Sequence, residues 1–464
     1  MFAAVGDSAI RQGAIKQIKV EVHQVTVGMF ISRLDRPWDL TPFPIQGFYI
    51  RDAEEIKQLK MHCKFVFIDV VKGIAPVIIK LKTSSSAKSN ASASRRITKR
   101  QQVSASLAPL DIRHNIYIPA VTSLKIELVK AKQLHLKVFS AVTEIMLSLE
   151  NSGDISVQGT KRVASEMVDS ILRNPDAFSW LSQVREHDAH TYSHAVRSAV
   201  LAILFGRQIG LGKQDLNVLA MGVLLKDVGK VKIDSALLLL SERNAAEEAD
   251  YEKFVELGIE MLRASGDVGT RVIGVVESHC ERLNGTGFPQ QLAGDKIPLL
   301  AKIAGIVTFY DEVTNPRGAA QPVAPSKAVS QLYELRNIAF QEELCVEFIR
   351  SIGLYPTGTL VELNTGEVGV VVEQNFKRRL KPKVIVVLNA CKDHISSPFV
   401  VDLELDDQYK QALIDAGKVS FSEAEKIEIC QSLEPGSFDI DIAKIRDDYL
   451  FSKKRKGIFS FFKR

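Results

Sequence analysis

Residues 218–232, VLAMGVLLKDVGKVK, constrain this 464-residue chain more than any other stretch. An apolar run of this kind is buried, and it ends in Lys226, Asp227, Gly229 and Lys230, so a core helix delivers charges to its own buried exit. Cations are favoured in a last helical turn and glycine is the usual stop, so a charged C-cap accounts for the pattern equally well. The other reading is a site, because a carboxylate flanked by ammonium groups is where a polyanion or a metal is held.

The length allows two or three domains with a sizeable core. Apolar residues make up 46% and charged residues 25%, as in ordinary soluble proteins. No run of 18 uncharged apolar residues appears and the first residues lack a secretory pattern, so a cytoplasmic protein is expected. The formal charge of +5 is unevenly placed. Residues 82–106 and 453–464 carry six Lys/Arg each and no acid; with those twelve set aside, 48 basic side chains face 55 acidic ones. The folded body is therefore acidic, and no nucleic-acid-binding face is expected. Cys63, Cys280, Cys345, Cys391 and Cys430 never form a CxxC pair, which points to reduced thiols rather than a disulfide framework or zinc knuckle.

Taken in order, residues 1–14 are expected to be disordered and 15–81 to form a small α/β module. Its strands are read at 19–22, 29–34 and 65–70 and its helix at 52–61, N-capped by Asp52. A loop marked by Pro37, Trp38, Pro42 and Pro44 reads as a packed turn or as a partner-binding loop. Residues 82–118 are expected to be a disordered basic Ser/Ala linker, since the stretch 83–106 cannot bury enough apolar surface to fold. Over 119–150 a long helix carries Val121, Leu124, Leu128, Ala131, His135, Val138, Val142, Ile145 and Leu149 at heptad spacing. That seam packs either on the chain's own helical domain or on a second copy, giving a homodimer through 121–149. Helical periods dominate 151–350, β-rich alternation 355–405, and a helical or irregular segment 406–452 follows. The tail KKRKGIFSFFKR, 453–464, combines basic and aromatic residues and reads as a weak membrane-surface contact or as a solubilising tail. The fold class is mainly α, with a small N-terminal α/β module and a small C-terminal β appendage.

His187, His190 and His194 fall at i, i+3 and i+7 and share a helix face. Imidazoles so spaced can share a metal, but a histidine pair on a helix is more often surface polarity, so partners from other elements decide. Downstream stand ESHCERLNGTGFP (277–289) and KIAGIVTFYDEVTNPR (302–317). With His194 and Lys226-Asp227, this order resembles the HD-GYP family of bacterial phosphohydrolases over roughly 151–347. The N-terminal module resembles the small domain that accompanies many proteobacterial members. The resemblance implies an all-helical HD-type phosphohydrolase domain with two or three metal ions, usually iron or manganese. In active members a metal-activated water attacks a phosphodiester of cyclic di-GMP, giving linear pGpG or GMP.

Carried across position by position, His194, Asp227 and His279 match family ligands. Lys226, Phe254, Cys280 and Thr308 stand where four further ligands are usual, so four of seven positions have changed. A lysine ammonium has no lone pair for a metal, and neutralising one near pH 7 costs roughly 4 to 5 kcal/mol. Lys226 is therefore expected to pair with Asp227 and to stand in the place of a cation. Lys230, Arg317 and Phe288 match ligand-binding positions, with Gly287-Phe288-Pro289 in place of Gly-Tyr-Pro, while Ala320 falls where a further basic residue is frequent. The leading reading is a catalytically impaired member of cyclic di-GMP signalling, a nucleotide sensor or protein-contact module without a metal cofactor. The 284–289 loop would then face a diguanylate cyclase domain. The rival is an active phosphodiesterase with iron or manganese in an altered centre, drawing on His190 and Cys280 and using Asp227 and Lys230 in catalysis. A scaffold that binds neither metal nor nucleotide is the third.

Overall fold

A computed structural model of the protein describes residues 17–36, 48–50, 53–69, 107–108, 110–114, 116–117, 121–151, 157–182, 190–240, 242–317, 321–375, 378, 380–406, 408–409, 427–434 and 436–451. The readings placed on 1–14, the Pro37–Pro44 loop, the linker 82–106, the tail 453–464, His187 and Ala320 lie outside these residues. The chain divides into two compact units, Met1–Thr98 and Lys99–Arg464.

In the first unit, strands β1 (Gln17–Glu21), β2 (Phe30–Leu34), β3 (Phe48–Tyr49) and β4 (Phe65–Asp69) form an antiparallel sheet in the order β1-β4-β2-β3. Val20, Ile31, Leu34, Val66 and Ile68 share the buried face with Leu59 of helix α1 (Ala53–His62), and the register irregularity between Ile31 and Arg33 of β2 turns both Ile31 and Leu34 inward. The sequence reading missed β3, whose two residues carry too little pattern to register.

The second unit is helical, as expected. Helix α2 (Leu124–Asn151) packs on α3 (Gln158–Arg173) and α4 (Pro175–Ser182). Seam residues Leu128, Ala131, Val138, Val142, Ile145 and Leu149 are buried within this unit. The apolar stripe is thus covered by the chain's own helices, the first of the two packings expected for it. Glu127, fully buried, is clamped by Arg173 at 2.7 Å and Ser170 at 2.6 Å, which fixes α2 on α3. Pro175 opens α4 without losing a hydrogen bond, and Asn174 Oδ1 accepts the Asp176 N–H at 3.0 Å.

Helices α5 (His190–Gln208) and α6 (Lys213–Leu225) form the centre. Around them lie α7 (Ser235–Leu239), α8 (Ala245–Glu252), α9 (Phe254–Ala264), α10 (Thr270–Ser278), α11 (Leu299–Thr314), α12 (Pro325–Glu334) and α13 (Glu342–Ile352). Every residue of α6 from Leu219 to Leu225 is buried, so burial on all sides rather than an amphipathic face holds it.

The β appendage extends past its expected limit of 405. Strands β5 (Leu360–Leu363), β6 (Val368–Glu373), β7 (Lys383–Leu388) and β8 (His394–Asp402) take a fifth partner, β9 (Ile429–Ser432), in the antiparallel order β8-β7-β6-β5-β9. Trp180 of α4 donates to the Val372 carbonyl at 3.0 Å, and Ser326 of α12 meets Ser432 at 2.5 Å, so this sheet is joined to the helices. Helix α14 (Ile442–Phe451) closes the described chain, with Lys132 of α2 at 4.0 Å from Asp447. Among the described residues no helix is long and apolar enough to cross a membrane.

Candidate functional site

Four elements bring the motif residues together. Lys226 keeps helical dihedrals as the C-cap of α6, and Asp227 leads into a short 3-10 turn, Val228–Lys232. Gly229 in that turn lies where a Cβ would stand 1.9 Å from the Phe254 carbonyl oxygen, so only glycine lets the first turn of α9 approach. Helix α5 supplies His194, α11 supplies Asp311, and α10 ends at His279.

The Lys226 ammonium is fully buried and donates to two acceptors: His194 Nε2 at 2.9 Å and Asp227 Oδ2 in a very short ion pair. Lys230 Nζ holds the other oxygen of Asp227 at 2.7 Å. Burial alone would raise the Asp227 carboxyl, but the charges of Lys226 and Lys230 outweigh it and hold the group well below the usual range. Asp227 in turn raises the Lys230 ammonium against its own burial.

His194 is oriented from behind. Its Nδ1 donates to Asp311 Oδ2 at 2.5 Å, so its Nε2 lone pair is the one facing Lys226. Asp311 is gripped by Arg197 at 2.9 and 3.2 Å and by Asn315 at 3.0 Å. Burial pushes its carboxyl up, and Arg197 with His194 more than reverses that.

The second retained histidine is capped as well. His279 Nδ1 donates to the Val276 carbonyl at 2.7 Å, which leaves the Nε2 lone pair facing Cys280 Sγ at 3.3 Å. Burial pushes the Cys280 thiol up to about 12, so it carries its proton and donates to that lone pair. Burial and the nearby Lys226 charge hold His279 neutral, down to about 3. With no metal beside it, a buried thiol of this kind keeps its proton near neutrality and caps the imidazole.

The remaining two changed positions contribute no metal donor. Phe254 packs edge-on against His279 with ring centres 5.9 Å apart, and against Phe288 at 6.1 Å. Thr308 keeps a buried hydroxyl with no hydrogen-bond partner among the described residues. His190 opens α5. Among the described residues no group of three or more His, Cys, Asp and Glu is arranged to hold a metal ion.

At the rim, Lys230 lies over the rings of Phe254 and Tyr251, 4.8 and 5.7 Å from their centres, and Arg243 stacks on Tyr251 at 3.9 Å. Arg317 stands near Tyr251 and Asp227, half-buried, its guanidinium lowered mainly by desolvation. The 284–297 loop is fixed by Glu281, whose buried carboxylate accepts the Gln290 and Leu292 N–H groups at 2.8 and 2.9 Å.

Sequence reasoning did not assign Asp311, Arg197, Tyr251 or Glu281. Asp311 had a readable signal, since it lies one turn beyond Thr308 on one face of α11, as Arg197 lies one turn beyond His194. Tyr251 had none, because its role depends on how α8 meets the turn after Asp227.

A helical domain that seats a histidine against a lysine-aspartate pair at the exit of its central buried helix has the plan of an HD domain. Comparisons with known proteins agree. Residues 182–341 match the HD domain, and residues 17–160 match a domain of unknown function, DUF3391. A cyclic di-GMP phosphodiesterase of Pseudomonas aeruginosa is 28% identical over 388 residues, covering 83% of this chain and 88% of that protein. The cyclic di-GMP phosphodiesterase response regulator RpfG of Xanthomonas campestris is 27% identical over 190 residues, covering 40% of this chain and 50% of that protein. Among solved structures, the HDG"Y"P protein Bd1817 from Bdellovibrio bacteriovorus aligns at 14% identity and a TM-score of 0.42, covering 72% of this chain and 98% of that one. The chain is a DUF3391 and HD-domain protein, homologous to the HD-GYP cyclic di-GMP phosphodiesterases.

Proposed function

We propose that this protein acts in cyclic di-GMP signalling without metal-dependent hydrolysis, as a nucleotide-responsive module that contacts another signalling protein. The observation that carries the reading is that both retained imidazoles have their outward nitrogens capped by the chain itself: His194 by the Lys226 ammonium and His279 by the Cys280 thiol. A divalent ion needs those lone pairs and the Asp227 carboxylate, which Lys226 and Lys230 already share. The donor set does not fit iron or manganese, and no hydrolytic step through a metal is derived for it. Lys230 is committed to Asp227, so among the described residues Arg317 is the rim cation proposed for a nucleotide phosphate, and Phe288, packed on Phe254, offers a ring without a hydroxyl. The relatives from Pseudomonas and Xanthomonas are named for cyclic di-GMP, which supports it as the ligand, while a diguanylate cyclase domain as the partner of the 284–289 loop rests on the family resemblance.

The test uses protein purified anaerobically without a metal-affinity column. Elemental analysis is paired with a cyclic di-GMP hydrolysis assay with added iron or manganese, and with calorimetry. The expected result is metal well below one equivalent, no turnover, and a binding heat lost in Arg317→Ala. Near-stoichiometric metal with turnover overturns the proposal; absence of both turnover and binding heat overturns its nucleotide part and leaves a scaffold.

A further inference from the structure

Residues 107–117, expected to belong to a disordered linker, are instead held on the helical unit at four places. The apolar residues Leu107, Leu110, Ile112 and Tyr117 are half-buried, which is why this part of the linker docks where the Ser/Ala-rich part has nothing to bury. The Ala108 N–H donates to Asp295 Oδ2 at 2.7 Å. Arg113 N–H donates to the Ile209 carbonyl at 3.0 Å, and its own carbonyl passes over Gly210, where a Cβ would stand 2.2 Å away. His114 Nε2 meets Glu347 Oε2 of α13 at 2.8 Å, and Tyr117 donates to the Leu211 carbonyl at 2.7 Å.

The first anchor matters most, because Asp295 belongs to the 284–297 loop. Asp295 lies in the Gly294–Lys296 turn and also takes Lys302 of α11 at 3.2 Å, and Lys302 reaches on to Gln341 at 3.0 Å. The loop is also held by Glu281, directly after His279 and Cys280 in the chain, by the Gly294 N–H on the Leu283 carbonyl at 3.0 Å, and by the Gln290 side-chain amide, which donates to Glu277 at 2.8 Å. Phe288, between Glu281 and Asp295, leans on Phe254 at the site. A contact at residue 108 thus joins the segment that leads from the N-terminal unit to the loop that forms the rim of the site.

We propose that residues 107–117 are a regulatory strap: docked, they hold the 284–297 loop in order through Asp295, and their release loosens it. An event in the N-terminal unit that draws on this segment would reach the site by that route. The inference goes beyond the nucleotide reading and does not need it, since the loop's order is measurable without ligand.

Hydrogen–deuterium exchange of the full chain tests it, comparing wild type with Ala108→Pro, which deletes the donor N–H, and His114→Ala, which cuts the strap at α13 rather than at the loop. Both variants are expected to speed exchange in peptides of 284–297 by about threefold to tenfold, the effect of losing one solvent-exposed hydrogen bond, with α5 and α6 unchanged. His114→Gln, which can still donate to Glu347, is expected to restore the wild-type rate. The proposal is overturned if the loop exchanges at the wild-type rate in His114→Ala, since the contact at Asp295 is then local. Acceleration throughout the helical unit also overturns it, by making the strap a general stabiliser. A loss of cyclic di-GMP binding heat in the wild type bears on the earlier reading and leaves this one standing.

Discussion

Replacing Lys226 with Met removes one charge from a fully buried cluster while keeping side-chain volume close, so the packing loss is small and the electrostatic effect is isolated. Asp227 would keep Lys230 at 2.7 Å but lose the short ion pair on its other oxygen, and the His194 Nε2 lone pair would face a methyl group. Breaking a buried pair from one side costs about 3 to 5 kcal/mol. With Lys230 still in place the lower end applies, roughly 3 kcal/mol, which at about 2 °C per kcal/mol for a domain of this size lowers the melting temperature by about 6 °C. Denaturant titration gives the free energy and a thermal scan the temperature. The double variant Lys226→Met, Asp227→Asn neutralises the stranded carboxylate, and the expected outcome is recovery of part of the loss. An unchanged midpoint in the single variant would refute the claim that Lys226 balances buried charge, and with it the main support for proposing a site without a metal.

Three further outcomes are expected. Gly229→Ala should lower the denaturation midpoint by several kcal/mol, beyond the usual 1 to 3 for overpacking, because its Cβ would meet a backbone carbonyl at 1.9 Å and neither turn nor helix can yield cheaply; a loss below about 1 kcal/mol would count against the close approach of α9. Ellman titration of the native protein should find two fast thiols, Cys391 and Cys430, which are exposed, while Cys63, Cys280 and Cys345 react only on unfolding; early modification of Cys280 would contradict its role as a protonated cap on His279. Burial, with Arg446 and Arg197 nearby, holds His135 down to about 4 from an ordinary 6.5. The unfolded chain therefore binds a proton between those values that the folded chain refuses. This contribution is complete above about pH 6.5 and is lost as pH falls, by up to about 1.4 kcal/mol per unit. His135→Gln should flatten stability between about pH 4.5 and 6.5, and an unaltered slope would remove His135 from the account.

Much of the fold was legible because the patterns concerned are local. Heptad spacing marked α2, period-two alternation marked β5 to β7, and the Lys226-Asp227 exit of a wholly apolar run marked the site. The heptad seam shows the limit: a stripe at positions 128, 131, 138, 142 and 145 states that something covers it, without saying that α3 and α4 do so. β9 escaped for the opposite reason, since four residues of half-exposed strand gain their identity only from pairing with β5. At the site, residue types named the positions that had changed, but not what replaced their interactions. That Cys280 caps His279, and that Lys226 reaches His194 as well as Asp227, follows from helix ends meeting in space.

The charge inventory of the buried centre bears directly on the proposal that no metal is held there. Two carboxylates, Asp227 and Asp311, lie in the buried centre, and neither can stay ionised there without positive partners. Lys226 and Lys230 serve the first, and Arg197 serves the second with help from the His194 N–H. Three permanent side-chain cations thus already exceed two anions before any ion enters. A divalent ion would find the electrostatics reversed: it would have to displace an ammonium that has nowhere to go, since Lys226 is sealed from solvent. The same lysine keeps His194, Asp227 and the turn carrying Lys230 in register. Under the proposed function the rim near Arg317 would keep its shape without ions, and pairing the Arg317→Ala calorimetry with elemental analysis tests binding and metal content separately.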